Sequence, residues 1–280
     1  MEFWKMHGLG NDFILMEGRQ FPVDMDYSQL ARRLCDRHAG IGADGIEIVL
    51  PSQKADIRMR IINSDGSEAE MCGNGIRCFA KFVYERDLVS RETMTVETLA
   101  GFIRPELKLV NGHVSAVKVD MGQPVLDRAR IPMAGPAGPV VAETLGVGDR
   151  SFTITSLLIG VPHTVIFVEN LRDIPVAEIG PAIERHPSFP KRTNVNFVEV
   201  INQQEIAVRT WERGAGATLA CGTGCCAAVV ASILNRKTVN RVTVHLQLGD
   251  LQIEWFENQS VCMTGPAVEV FRGIMELGAV

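Results

Sequence analysis

The short motif Cys-Gly-x-Gly occurs twice in the sequence, at Cys72–Gly75 and at Cys221–Gly224. Each copy directly precedes an apolar stretch that is predicted as a helix. A thiol there lies among free backbone N–H groups at the positive end of the helix dipole, and we expect its pKa to be lowered. The glycines let a ligand approach the backbone, whose N–H groups can bind an anion such as a carboxylate. One copy alone is as well explained by a buried structural cysteine, whereas two copies at matched positions favour a site formed by both halves.

Two thiols beside one carboxylate are suited to inverting the carbon atom next to that carboxylate. Inversion removes a proton from one face of the carbon and delivers a proton to the other face, which one base in a fixed position cannot easily do. A thiolate and a thiol on opposite faces can do both, and the helix N-termini would stabilise the charge that develops on the carboxylate. The motifs therefore predict a two-base isomerase that uses Cys72 and Cys221.

The matched positions of the motifs are part of a longer internal repeat. Cys72 and Cys221 are about 150 residues apart, and so are Gly10 and Gly160, each of which precedes a predicted strand. The strands that end near Val49 and near Val200 share nearly the same offset. The sequence therefore predicts a duplicated unit of about half the chain.

Hydrophobic patterning supplies the elements that would hold the two motifs. The predicted helix over residues 225–234 is apolar on every face, so we expect it to be buried with a sheet wrapped around it. Ser28 is the expected N-cap of another helix. The strands predicted are 12–17, 46–50, 57–62, 154–159, 164–168, 194–200 and 206–211; the other helices are 28–38, 176–185 and one from residue 76; residues 132–139 are a loop.

Composition excludes several classes of protein. The chain has 280 residues, 46% of them hydrophobic and 22% charged, with a formal net charge of −5 and no dense basic block. We therefore expect no nucleic-acid partner and no membrane association. The first residues do not have the pattern of a secretory signal, and seven cysteines are an odd number. We expect reduced thiols and a cytoplasmic location.

Cofactor motifs are not supported. Gly40–Gly45 matches the dinucleotide pattern G-x-G-x-x-G, but that fingerprint has to follow a strand and open a helix, and here a predicted helix comes before it and a strand after it. The spacing of the cysteines and histidines does not favour a metal site. Neither a cofactor nor a metal is expected.

Nine motifs along the whole chain form one joint pattern: Met6–Phe13, Asp36–His38, Gly40–Gly45, Asn63–Glu68, Met71–Gly75, Gly160–His163, Arg192–Asn194, Glu212–Gly216 and Ala220–Gly224. This pattern resembles the diaminopimelate epimerase family, in the family's order. This resemblance implies epimerisation of the small amino-acid substrate LL-2,6-diaminopimelate to the meso form, in lysine and peptidoglycan-precursor biosynthesis, without pyridoxal phosphate, by a homodimer. The implied fold is α/β (α+β), with two pseudo-symmetric halves, each a mostly antiparallel sheet wrapped around a central helix. The implied domains are residues 1–119, with 267–280 packing back on them, and residues 120–266.

The resemblance also implies roles for individual residues. Cys72 and Cys221 are the two bases, and His163 and Glu212 assist catalysis. Arg213 suits the distal carboxylate of the substrate, because a guanidinium binds a carboxylate through two hydrogen bonds. The reacting carboxylate is assigned to the backbones of Gly73, Asn74, Gly222 and Thr223, and the rest of the substrate to Asn11, Asn63, Asn194, Glu212 and Arg213.

Two positions depart from the family's pattern. Val161 replaces a common Asn and is the repeat counterpart of Asn11, and Ala217 replaces the usual Glu four residues before the second cysteine, where the first half keeps Glu68. Both changes bear on substrate detail. A racemase of proline or histidine on the same fold stays an alternative, although Asn74 replaces the His typical of proline racemases. A non-enzymatic thiol switch, with a disulfide between Cys72 and Cys221, is the second alternative.

Overall fold

The computed structural model describes residues 1–276. The chain divides into two compact units, one formed by Met1–Val119 with the segment from Gly265 onward, the other by Asp120–Thr264. Both units combine a sheet with two α-helices, so the predicted mixed α/β class with pseudo-symmetric halves is confirmed. Among the described residues, no helix has the length and apolar character needed to cross a membrane.

A series of two strands, a helix, three strands, a helix and two strands occurs once in each unit. The first unit contains β1 (Glu2–Gly8), β2 (Asn11–Glu17), α1 (Tyr27–Cys35), β3 (Gly45–Leu50), β4 (Ile57–Asn63), β5 (Glu68–Ala69), α2 (Gly73–Glu85), β6 (Val96–Thr98), β7 (Gly101–Ile103), β8 (Glu106–Val110) and β9 (His113–Asp120). Next along the chain come β10 (Val140–Val147), β11 (Arg150–Ile159), β12 (Val161–Val168), α3 (Val176–Glu184), β13 (Asn194–Asn202), β14 (Glu205–Glu212), β15 (Gly216–Thr218), α4 (Gly222–Leu234), β16 (Arg241–Leu246), β17 (Gly249–Glu254), β18 (Cys262–Gly265) and β19 (Val268–Ile274).

The sheet of the first unit has the strand order β19-β1-β2-β3-β4-β6-β7, with the short β5 beside β4. Its β2–β3 and β4–β6 pairs are parallel, because α1 and α2 provide the crossovers, and the other pairs are antiparallel. The register places Leu15, Glu47 and Ile61 side by side on the three central strands. β19 pairs with β1, so residues 268–274 of the predicted return segment lie on the first unit. The last four residues of that segment lie outside the described residues.

The second unit repeats this connectivity. Its strands run in the order β10-β11-β12-β13-β14-β16-β17-β18, with β15 beside β14. The parallel pairs are β12–β13 and β14–β16, connected through α3 and α4. Val165, Asn196 and Thr210 take the register positions that Leu15, Glu47 and Ile61 take in the first unit.

Each sheet is covered by a different helix on each face. In the first unit, α1 packs Leu30 and Leu34 onto Ile14, Ile46 and Ile48. The opposite face, where Glu47 points, is covered by α2. In the second unit, α3 packs on the face of Val195 and Phe197. The apolar α4 is buried on all sides and contacts β11, β12, β13 and β17, as its composition predicts.

The helix termini differ from the sequence-based expectations for identifiable reasons. α1 begins at Tyr27 because Asp26 is its N-cap and accepts from the N–H of Gln29 at 3.0 Å, whereas the Ser28 hydroxyl donates to the carbonyl of Gly66 at 2.8 Å. It ends at Cys35 and not at residue 38, because Asp36 accepts from two later N–H groups and forms a turn. α2 and α4 begin three residues earlier than predicted.

Candidate active site

Cys72 is the N-cap of α2. Its backbone is extended, with φ −137° and ψ 122°, and its Sγ accepts a hydrogen bond from the N–H of Gly75 at 3.4 Å. A cysteine cap leaves the N–H groups of Gly73 and Asn74, in the first turn of the helix, without intrahelical partners. The half-buried thiol and these N–H groups therefore lie at one helix N-terminus, the arrangement expected of a group that acts beside a bound carboxylate.

Asn11 contacts both residues of this turn that carry side chains. Its Oδ1 accepts from the Cys72 thiol at 3.5 Å and from Asn74 Nδ2 at 3.3 Å. Its Nδ2 donates to Asp44 Oδ2 at 2.7 Å. Asn63, at the end of β4, instead bonds within its own turn, with Nδ2 donating to Ser67 Oγ at 2.9 Å. In the first unit the structure thus brings Asn11, Cys72 and Asn74 into direct contact.

Cys221 occupies the corresponding position in the second unit. It is the N-cap of α4, with φ −122° and ψ 106°, and its Sγ accepts from the N–H of Gly224 at 3.3 Å. Thr223 Oγ1 lies 3.5 Å from the same sulfur. Val161 begins β12 as Asn11 begins β2, and an apolar valine cannot bond the thiol as Asn11 does. The polar contact of Cys221 is therefore the Thr223 hydroxyl, whereas that of Cys72 is the Asn11 amide.

His163 is fully buried behind this turn and is held by an amide. Asn196 Oδ1 accepts from the Thr210 hydroxyl at 3.0 Å, and its Nδ2 lies 3.2 Å from His163 Nδ1. An amide nitrogen only donates, so Nδ1 accepts and the ring proton is on Nε2. Burial, and next the charge of Arg213, lowers the pKa of His163 to about 3. The imidazole is therefore neutral.

The remaining predicted substrate-binding residues lie at the ends of β13 and β14. Asn194 Oδ1 accepts from the backbone N–H of Arg213 at 2.8 Å, and Arg213 Nη1 donates to the carbonyl of Lys191 at 2.8 Å. The Arg213 side chain is exposed and has donors to spare. Glu212 accepts from the Thr218 hydroxyl. Asn194, Glu212 and Arg213 therefore form one neighbourhood in the second unit.

The prediction that the thiol pKa values of Cys72 and Cys221 are lowered is wrong, because both are raised. Burial raises the pKa of Cys72, and hydrogen bonds from the Gly75 and Asn74 N–H groups offset this only in part. Burial, followed by the charge of Glu212, raises the pKa of Cys221 well above its ordinary value. Desolvation outweighs the helix N-terminus at both positions, so both thiols are protonated in the substrate-free protein.

The glycines that end the two motifs, Gly75 and Gly224, are required by close packing. A Cβ added to Gly75 would lie 2.2 Å from Glu47 Oε1, and one added to Gly224 would lie 2.4 Å from Asn196 Oδ1. Both distances are well below van der Waals contact. A polar side chain from the central strand therefore reaches under the first turn of each cysteine-capped helix.

Three residues of these neighbourhoods are absent from the sequence-based predictions. They are Asp44, which orients Asn11, Asn196, which holds His163, and Glu47, which is 0% exposed. One signal was available for Glu47, since it is the only charged residue in the otherwise apolar strand Gly45–Leu50. Across residues 1–276, no group of three or more histidine, cysteine or acidic side chains is placed to hold a metal ion.

Known proteins resemble this chain over nearly its whole length. The family model described as Diaminopimelate epimerase matches residues 3–126 and 155–270. The diaminopimelate epimerase of Heliobacterium modesticaldum is 56% identical over 281 residues, which cover 99% of this chain and 100% of the relative. The diaminopimelate epimerase of Methanococcus maripaludis is 47% identical, with 99% and 100% of the two chains covered.

More distant solved structures share the fold. A PhzF-family phenazine biosynthesis protein from Bacillus anthracis superposes with a TM-score of 0.72 at 16% identity, covering 98% of each chain. A probable proline racemase from Agrobacterium radiobacter reaches a TM-score of 0.67 at 16% identity, covering 99% of this chain and 93% of the other. These two likenesses concern the fold alone. The family model and the close relatives go further, and the chain belongs to the diaminopimelate epimerase family.

Proposed function

We propose that this chain is an isomerase that converts LL-2,6-diaminopimelate to the meso form, in lysine and peptidoglycan-precursor biosynthesis. The observation that carries the proposal is the duplicated arrangement of Cys72 and Cys221, each the N-cap of a helix in a chain of this family. A thiol and an anion-binding turn are present twice, which is what inversion of a carbon atom next to a carboxylate requires.

The reaction follows from one proton transfer at each thiol. In the direction in which Cys72 is the base, its thiolate removes the α-proton, and the Cys221 thiol delivers its own proton to the opposite face of the carbon. The thiol and the thiolate have then exchanged places, and the reverse direction uses them in the opposite roles. No electrons are gained or lost, so the step balances without a cofactor.

The helix N-termini stabilise the intermediate charge. When the α-proton leaves, negative charge moves onto the reacting carboxylate, which the N–H groups of Gly73, Asn74, Gly222 and Thr223 are suited to bind. Burial raises the pKa of both cysteines, so forming a thiolate requires a compensating positive charge. The ammonium group of a bound substrate would supply that charge. His163 serves as a neutral donor through Nε2, which has no partner among the described residues.

The remaining groups of the substrate are assigned to polar side chains of both units. Arg213 supplies a guanidinium for the distal carboxylate, and the side chains of Asn11, Asn63, Asn194 and Glu212 supply acceptors for the ammonium groups. Neither proline nor histidine carries a second carboxylate and a second ammonium group. Arg213 therefore favours diaminopimelate over the substrates of those racemases.

The proposal also includes a homodimeric assembly and a cytoplasmic location. β19 is at the end of the first sheet and exposes Val270, Phe271 and Ile274, a sheet edge suited to a second copy of the chain. A homodimer is consistent with this edge and stays a prediction, as does a location in the cytoplasm.

The proposal is tested by incubating the purified protein with LL-diaminopimelate, proline or histidine in deuterated water. We expect meso product with deuterium at the inverted carbon from diaminopimelate only, without added cofactor. Isomerisation of proline or histidine at a comparable rate would contradict the substrate assignment. A reversible disulfide without any exchange of the α-proton would show a thiol switch instead.

A further inference from the structure

Glu47 is a buried carboxyl group that the proposed reaction does not use. Its side chain is 0% exposed, and neither oxygen has a hydrogen-bond partner among the described residues. Its strand neighbours on the same face are Leu15 and Ile61, which are apolar. Burial raises its pKa well above the ordinary value of a glutamate, so the carboxyl is neutral. A neutral acid in an apolar setting keeps an unused O–H donor.

The Glu47 carboxyl group lies close to Cys72. A Cβ on Gly75 would lie 2.2 Å from Glu47 Oε1 and 3.3 Å from Cys72 Cβ, so the carboxyl and the cysteine border the same point of the helix. Other titratable or charged groups of α2 in this region are Cys78 and Arg77. Arg77 Nη1 donates to the carbonyl of Gly73 at 2.9 Å.

The second unit shows what a fully partnered side chain at this position looks like. Asn196 has the register position of Glu47, and a Cβ on Gly224 would lie 2.4 Å from Asn196 Oδ1 and 3.2 Å from Cys221 Sγ. Asn196 is bonded to both His163 and Thr210 and cannot ionise. In the first unit, Phe13 takes the position of His163 and Ile61 that of Thr210. Both side chains are apolar and cannot form a hydrogen bond with Glu47. Of the two matched positions, only the one under Cys72 carries an ionisable group.

We propose that Glu47 limits the reactivity of Cys72 at alkaline pH, because its ionisation directly beneath the first turn of α2 suppresses the thiolate, an inference that rests on the proposed role of Cys72 as a base. In its neutral form it leaves the positive potential of the helix N-terminus intact. In its ionised form it places negative charge beneath both the thiol and the carboxylate-binding turn. That charge opposes the thiolate and the bound carboxylate.

The test compares Glu47→Gln, an uncharged isostere, with the wild type. Alkylation of Cys72 by iodoacetamide is followed against pH by peptide mass spectrometry, without substrate, and kcat/KM for diaminopimelate is measured over the same range. We expect equal Cys72 reactivity near neutral pH, at least threefold faster alkylation in Glu47→Gln at alkaline pH, and a smaller alkaline fall of kcat/KM. Cys221 in the same sample is the internal control and should not change.

Two further variants keep the test decisive. Glu17→Gln removes a carboxylate of the same sheet that is paired with Arg86 at 2.8 Å, and it should follow the wild type. Glu47→Leu keeps the volume without any polar atom, and its alkylation profile should match that of Glu47→Gln. Identical Cys72 profiles in the wild type and Glu47→Gln, an equal shift at Cys221, or loss of the folded protein in both Glu47 variants would overturn the proposal. If wild-type protein lacked epimerase activity, the proposed function would fail while the alkylation result still decided the role of Glu47.

Discussion

Asn11 Nδ2 donates a hydrogen bond of 2.7 Å to Asp44 Oδ2, and this contact determines which atom of the amide faces Cys72. A carboxylate only accepts, so the amide nitrogen must face Asp44 and the Oδ1 must face the thiol. Asp44 is itself fixed by Arg37, at 2.9 Å. An exposed acidic residue thus orients the hydrogen-bond acceptor of a candidate catalytic cysteine.

Asp44→Asn should lower kcat, because an asparagine can donate to Asn11 Oδ1 and turn the amide of Asn11 over. A single misdirected hydrogen bond of about 1 kcal/mol corresponds to a loss of about fivefold. Steady-state kinetics with LL-diaminopimelate measure this loss. Asp56→Asn removes a surface carboxylate paired with Arg91 at 2.7 Å and is the control. Equal kcat in the two variants would show that Asp44 does not orient the site.

Gly224→Ala should destabilise the protein more than Gly75→Ala. Alanine in a helix is normally favoured over glycine by about 1 kcal/mol, but each new Cβ overlaps a polar oxygen. Asn196 is held by two partners and cannot move, whereas Glu47 has none and can yield. We expect a loss of about 1–3 kcal/mol of unfolding free energy for Gly224→Ala. Urea denaturation measures both values. The reverse order would contradict the assigned packing.

Glu47→Leu should make the protein more stable than the wild type, by an amount that grows with pH. Because the pKa of Glu47 is raised in the folded state, the folded protein holds a proton that the unfolded chain releases. The unfolding free energy of the wild type is therefore highest at acid pH, where the group is protonated in both states. It falls by about 1.4 kcal/mol per pH unit between the pKa of the unfolded chain and that of the folded protein. Urea denaturation at several pH values checks it. A difference that is constant with pH would mean that Glu47 is ionised or does not titrate.

Arg213→Met should lower kcat/KM for diaminopimelate by about 10–100-fold, since hydrogen bonds between charged groups contribute about 1.5–3 kcal/mol. The methionine keeps an unbranched apolar stem and removes the charged guanidinium. Arg150→Met, which loses a surface pair with Glu178 at 2.9 Å, is the matched control. An unchanged kcat/KM in Arg213→Met would place the distal carboxylate elsewhere.

The fold could be predicted from the sequence largely because its elements have strong local signals. The apolar run in α4, the alternation in β4 and the two glycine motifs all reflect local rules of periodicity and capping. The helix termini were less predictable. Cysteine is not a usual N-cap, so local sequence rules begin α2 and α4 three residues too late.

The candidate site was predictable only in part, because its residues differ in how locally they are determined. Cys72 and Cys221 belong to motifs that are complete within four residues. Glu47 and Asn196 matter through register with neighbouring strands, and Asp44 through a contact with Asn11, which no local pattern encodes. The sign of the thiol pKa shifts depends on burial, which outweighs the helix dipole and is known only from the packed structure.

The most direct test of the two-base account is to replace Cys72 and Cys221 separately by alanine or serine. Each variant is incubated with each diaminopimelate stereoisomer in deuterated water, and both inversion and α-deuterium are measured. We expect inversion to be abolished in all variants, and the serine variants to exchange deuterium without inversion for one stereoisomer, because the remaining thiolate acts on its own face. Cys225→Ala, in the core of α4, should keep inversion. Full inversion by a Cys72 or Cys221 variant would contradict the account.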